Sequence, residues 1–82
     1  MENEIYFNLF PNPNDGSFIL DRSFPNKHYE LIIYDLSGKK VYSDFWKIGY
    51  KKNITCNLSS GYYYMHISNA NKIEAVKKII IN

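Results

Sequence analysis

Apolar positions along this chain recur at every second residue in short runs, and each run ends in turn-forming residues. Period-two alternation marks half-buried strands, and almost no helical periodicity is present. The first strand is expected from Ile5 to Phe10, with Ile5, Phe7 and Leu9 inward and Tyr6, Asn8 and Phe10 outward. A second runs from Ser17 to Asp21 and turns Phe18 and Leu20 to the core. Pro25, in Phe24-Pro25-Asn26-Lys27, forbids a central strand there, so that stretch is a connection. The third strand, Tyr29 to Tyr34, is apolar on both faces: Leu31 and Ile33 inward, Ile32 and Tyr34 on the other side. Such a strand is central or covered.

Asp35-Leu36-Ser37-Gly38 then reads as a hairpin turn, with Gly38 left-handed and the Asp35 side chain bonded to backbone. A fourth strand follows from Lys39 to Phe45, anchored by Val41. The stretch Phe45-Trp46-Lys47-Ile48-Gly49-Tyr50 is irregular and reads as a loop. The fifth strand, Asn53 to Asn57, points Ile54 and Cys56 inward, and Leu58 caps the core edge. After the turn Ser59-Ser60-Gly61, the sixth strand alternates cleanly from Tyr62 to Ser68. Tyr63, Met65 and Ile67 make one face; Tyr62, Tyr64 and His66 make the other. Asn69-Ala70-Asn71-Lys72 turns the chain into a last strand, from Ile73 to the end. Its facing is ambiguous, because Lys77 and Lys78 interrupt the pattern and Ile79, Ile80 and Ile81 are contiguous. Short strands at spacings of about ten residues predict two packed antiparallel sheets.

The most constrained stretch is Phe10-Pro11-Asn12-Pro13-Asn14-Asp15-Gly16. Two prolines fix φ and remove two backbone donors, so one strand must stop before them. Asn12, Asn14 and Asp15 favour side-chain bonds to nearby backbone, and Gly16 reaches positive φ without steric cost.

Composition narrows the function by exclusion. A chain of 82 residues forms one domain, 1–82, with room for a single core. Aromatic residues make up 17%, too many for a disordered tail. The net charge is +2 and lysine is scattered, so no nucleic-acid partner is implied. One cysteine, Cys56, allows neither an internal disulfide nor a cysteine-based metal site, and its alternation with Ile54 makes it a buried thiol. No apolar run is long enough for a membrane helix, and Met-Glu-Asn-Glu lacks the regions of a signal peptide. An exported product would carry its leader on another segment, and the chain is expected to be a fragment of a larger protein.

No catalytic constellation is present. His28 and His66 lie far apart with no nucleophile beside them, and His66 shares its face with two tyrosines. Asp15, Asp21 and Asp44 do not have the spacing of a calcium loop, and no phosphate-binding glycine loop occurs. The expectation is a non-enzyme without cofactor or metal. Exposed aromatics offer one alternative chemistry. Tyr62 and Tyr64, with Trp46, could form a platform for a sugar ring, as in a carbohydrate-binding or adhesive β-sandwich. A purely structural spacer is a third possibility.

The order of the turn signals resembles that of the type IX secretion system C-terminal sorting domains (type A) of the Bacteroidota. That family opens with a Pro-Asn-Pro turn, a glycine and an alternating strand; here these are Pro11, Asn12, Pro13 and Gly16, then Phe18 and Leu20. A strand ending in aspartate, a turn glycine and a valine follow, matched by Leu31, Ile33, Tyr34, Asp35, Gly38 and Val41. Leu58, Gly61, Tyr63, Met65 and Ile67 match its leucine and Gly-x-Tyr strand, and Lys77, Lys78, Ile79, Ile80 and Ile81 its basic, aliphatic end. The stretch 45–52 matches no family motif, and Asn82 stands where the family often ends in lysine or arginine.

The resemblance implies a seven-stranded Ig-like antiparallel β-sandwich at the end of a larger exported protein. It implies a cargo domain on the N-terminal side, and partners in the type IX translocon and the outer-membrane sorting and attachment proteins. The cargo would pass through the periplasm to the cell surface or medium. The domain would then be removed by a sortase-like surface protease, and the cargo released or joined to lipopolysaccharide. Lys77, Lys78 and Ile79 to Ile81 are the expected recognition residues, on a terminal edge strand whose unpaired backbone groups could pair with a receptor strand.

Overall fold

A computed structural model describes residues 6–82. Ile5, expected to open the first inward set, lies outside the described residues. Among these residues the fold is all-β, with strands β1 (Phe7–Phe10), β2 (Ser17–Arg22), β3 (Tyr29–Asp35), β4 (Lys40–Trp46), β5 (Lys51–Thr55), β6 (Gly61–Asn69) and β7 (Lys72–Ile81). They form a three-stranded sheet of order β1-β2-β5 and a four-stranded sheet of order β4-β3-β6-β7. Every strand pairing is antiparallel. The seven-stranded sandwich expected from the sequence is therefore the fold.

The alternation places the core. Phe18, Leu20 and Ile54 project from the smaller sheet; Leu31, Ile33, Met65, Ile67 and Ile79 project from the larger one, all buried. Each such side chain removed from water contributes about 1.5–3 kcal/mol. β3 lies between β4 and β6, and its outer-face residues Ile32 and Tyr34 are half-buried among the side chains of those neighbours. Leu9, Val41, Cys56 and Leu58 pack against the core from its margin.

Two bulges adjust the facing. Between Ile33 and Tyr34 the β3–β4 register shifts, leaving Val41 as the extra residue beside the hairpin. Between Ile67 and Ser68 the β6–β7 register shifts, leaving Glu74 extra. The second bulge settles the ambiguity of the last strand. Beyond it Ala75, Lys77, Ile79 and Ile81 oppose the inward residues of β6, while Val76, Lys78 and Ile80 share the outer face with Tyr62, Tyr64 and His66. The β6–β7 turn is a two-residue loop, Ala70-Asn71, with φ of 52° and 65°, the twist that suits a tight hairpin.

The stretch read as a loop at 45–46 is corrected. Both residues belong to β4, opposite Glu30 and Tyr29 of β3. Trp46 is 2% exposed and Phe45 is 60% exposed. Asp44, on the inward side of β4, hid the alternation in the sequence. It is tolerated because Tyr42 Oη donates to it at 3.1 Å, the Phe45 amide at 2.7 Å, and Lys52 Nζ lies 3.2 Å away on β5. β5 also starts and ends two residues earlier than expected, because its pairing with β2 runs out at Ser17. The Cys56 amide instead donates to the Gly16 carbonyl at 2.8 Å.

Beside Trp46 lies a residue the alternation did not mark. Arg22 ends β2 on the inward side and is 3% exposed. Its guanidinium donates to the carbonyls of Gly49, Lys27 and Pro25 at 2.9, 2.7 and 2.7 Å. It also stands 4.3 Å above the centre of the Trp46 ring and 5.3 Å from that of Tyr29. Burial lowers its pKa, while the neighbouring Tyr29 opposes that shift. Three carbonyls and two aromatic faces substitute for water around a cation that has no carboxylate partner among the described residues.

Candidate functional site

The turn at residues 11–16 is bound to the far end of the chain. Its two X-Pro bonds, Phe10–Pro11 and Asn12–Pro13, are cis. Asn14 organises the turn from within: its Nδ2 donates to the Pro11 carbonyl at 3.0 Å, and its Oδ1 accepts from the Gly16 amide at 2.8 Å. Asp15 Oδ1 accepts from the Ser17 amide at 3.1 Å. Gly16 has φ of 109°, and a Cβ there would overlap the carbonyl oxygen of Cys56. The glycine is thus required both by its conformation and by the approach of the Cys56 carbonyl, just beyond β5.

The outward side of the turn bonds to β7. Asn12 Nδ2 donates to the Lys78 carbonyl at 2.8 Å, and Asn12 Oδ1 accepts from the Ile80 amide at 2.9 Å. The Asn14 amide donates to the Ile80 carbonyl at 2.9 Å, and the Asn14 carbonyl accepts from the Asn82 amide at 2.8 Å. A parallel bridge joins Asn14 to Ile81. A side-chain amide carries the same donor and acceptor as a peptide group, so Asn12 does the work of a neighbouring strand residue.

This geometry closes part of the edge of β7. The edge of β7 from the Lys78 carbonyl to Asn82 is not open, because Asn12 and Asn14 take its outward groups. Ile79 and Ile81 are 0% and 4% exposed and belong to the core; Lys78 and Ile80 face outward. Lys77 lies on the inward side, half-buried at the margin. What the folded domain presents here is the turn seated on the last strand, with the Lys78 ammonium 4.8 Å from the centre of the Tyr62 ring.

The other motif residues support the sandwich. Asp35 Oδ1 accepts from the amides of Ser37 and Lys39 at 2.9 and 3.0 Å and from Ser37 Oγ at 2.6 Å. These bonds, the Ser37 hydroxyl first, hold its carboxyl below the usual range. Gly38 has φ of 90° and closes the hairpin by donating to the Asp35 carbonyl at 3.0 Å. Leu58 packs on the core, and beyond Gly61 the Tyr63 hydroxyl donates to the Ser59 carbonyl at 2.6 Å, fixing the entry to β6.

The sugar-platform residues are separated. Tyr62 and Tyr64 are exposed on the outer face of the larger sheet, whereas Trp46 is in the core. Tyr34 and His66 stack tilted at 4.7 Å beside Tyr64 and, with Leu36 and Val76, line a shallow groove of about 380 Å³. Among the described residues no group of three or more histidines, cysteines or acids could hold a metal ion. No helix of the described residues is long and apolar enough to cross a membrane.

The structure thus defines a small all-β module whose most constructed feature is a turn seated on its own C-terminal strand. A family model described as "Secretion system C-terminal sorting domain" matches residues 8–82. The chain belongs to that family, the type IX secretion C-terminal sorting domains. No curated protein matches it. The family is a non-catalytic sorting signal, attached to a cargo protein and addressed to the secretion system that exports it.

Proposed function

We propose that the domain acts as a folded address label, carrying an attached cargo from the periplasm across the outer membrane through the type IX translocon. The surface read is the joint between the turn at 11–14 and the end of β7. The observation that supports this is the set of four hydrogen bonds joining Asn12 and Asn14 to Lys78, Ile80 and Asn82. Two family motifs at opposite ends of the sequence become one surface only in the folded state. Outward-facing Lys78 and Ile80 belong to that surface, and buried Ile79 and Ile81 hold it from below. After export the domain is removed by a sortase-like surface protease, and the cargo is released or attached.

A reporter with an N-terminal export leader and residues 1–82 at its C-terminus tests this in a type IX-competent host. Export that disappears when the translocon is deleted supports the reading. Reporter held in the periplasm contradicts it. A glycan-binding module is the competing reading. It has lost Trp46 to the core and retains Tyr62 and Tyr64. Titration of glycans against tyrosine fluorescence separates the two, with flat curves expected for the sorting domain.

A further inference from the structure

The Asn12 contact divides the free edge of β7 into two halves. Outward backbone groups alternate along a strand, and those of Ile80 point at the turn. The register is unbroken from Ala75 to Ile81, so the amide and carbonyl of Val76 and the amide of Lys78 point the same way. None of these three groups has a partner among the described residues, and Val76 is 51% exposed. The upstream half of the edge is therefore open, while the downstream half is closed by a side chain imitating a strand.

We infer that this open half, from Ala75 to Lys78, accepts one short extended segment of the export machinery as an added strand, stopped in register by Asn12. This rests on the sorting reading above. The chemistry of the occupant follows from the groups present. Two donors and one acceptor in strand spacing are met by another extended backbone. Beside the open groups the outward side chains are Val76 and Lys78, next to Tyr62, Tyr64 and the groove lined by Tyr34, Leu36 and His66. Glu74, on the same strand, is engaged by Tyr29 Oη at 3.1 Å and Lys27 Nζ at 3.3 Å, and Asp35, which lines the groove with Val76, is bonded to Ser37 and the Lys39 amide. The charged side chain that β7 itself turns outward beside these groups is Lys78. The segment that fits carries an acidic residue toward Lys78 and an apolar one toward Val76.

Val76→Pro removes one outward amide and obstructs strand addition, and an edge strand tolerates proline where its N–H faces solvent. Val76→Thr keeps the amide and the branched shape. In the reporter fusion, Val76→Pro is expected to lower export at least tenfold while Val76→Thr exports at the wild-type rate. Equal export by both overturns the inference, as does equal loss in both, which would mean the side chain is read. Wild-type export in the same experiment shows whether the sorting reading itself stands.

Hydrogen exchange of the unmodified fusion gives a second test that needs no variant. The amides of Val76 and Lys78 exchange fast in the free protein. They become protected in solubilised outer membranes that contain the translocon, and not in membranes that lack it. Unchanged exchange overturns the inference. So does a self-associated dimer that dissociates on Val76→Pro, because the occupant would then be a second copy of the chain.

Discussion

Asn12 stands beside Ile80 as a neighbouring strand residue would, its Oδ1 accepting the Ile80 amide at 2.9 Å across a sequence separation of 68 residues. The same side chain donates to the Lys78 carbonyl at 2.8 Å. A surface turn thereby seals the downstream half of the edge of the terminal strand, a position where sheet proteins are open to unwanted pairing. It also ties the first family motif to the last.

Asn12→Ala removes both bonds. Each is worth about 1 kcal/mol net, so a loss of about 1–3 kcal/mol is expected in denaturant unfolding. The local effect is sharper: amide exchange at Ile80 accelerates while Met65, in the sheet centre, is unaffected below the global limit. Asn12→Asp is expected to be worse, since its carboxylate faces the Lys78 carbonyl without the donor.

Gly16→Ala forces a side chain into φ of 109° and against the Cys56 carbonyl. A loss of about 2–4 kcal/mol is expected from the two together. Gly38→Ala also occupies a positive φ, but a Cβ there meets nothing within 4 Å. Its cost is expected to be the smaller, about 1 kcal/mol. Chemical denaturation midpoints of the pair check the order.

Arg22→Met removes the guanidinium donors to the carbonyls of Gly49, Lys27 and Pro25, of which Pro25 alone, among the described residues, keeps another donor, the Gly49 amide. The expected cost is about 3 kcal/mol. Arg22→Lys recovers little of it, because one ammonium cannot reproduce the planar fork. Trp46 fluorescence reports the change directly, since the guanidinium stands 4.3 Å above its ring.

Alkaline pH should weaken the fold through two tyrosines. Tyr29, desolvated and bonded to Glu74, is pushed up to about 12, and Tyr42, desolvated and bonded to Asp44, likewise to about 12. A tyrosine whose folded pKa is raised contributes stability that is complete below its unfolded value of about 10 and lost as pH rises through the folded one. Thermal midpoints should therefore fall between about pH 10 and 12, together with the rise of tyrosinate absorbance. Tyr29→Phe removes its share of that slope.

Much of the sandwich was legible because β3 and β6 alternate without interruption, and the turn residues Asp35, Gly38, Asn69 and Asn71 punctuate them. What stayed hidden depended on partners distant in sequence. Trp46 was obscured by Asp44, whose inward position is rescued by Lys52 from the other sheet. Arg22 lies just beyond the strand expected to end at Asp21, and the main-chain carbonyls that hold it leave no signature in a sequence. The turn chemistry foretold the local bonds of Asn14, but nothing local distinguishes Asn12, whose partners lie 66 and 68 residues away. The facing of β7 depended on a bulge at Glu74, and a one-residue slip reverses every side chain beyond it.

The most direct test of the central claim is the export of the reporter fusion carrying Asn12→Ala, with folding of the purified fusion measured alongside. If the joined turn and terminal strand are what the machinery reads, the variant remains folded and its export falls severalfold, leaving reporter in the periplasm. Wild-type export of a folded variant with a rapidly exchanging Ile80 amide would contradict the account.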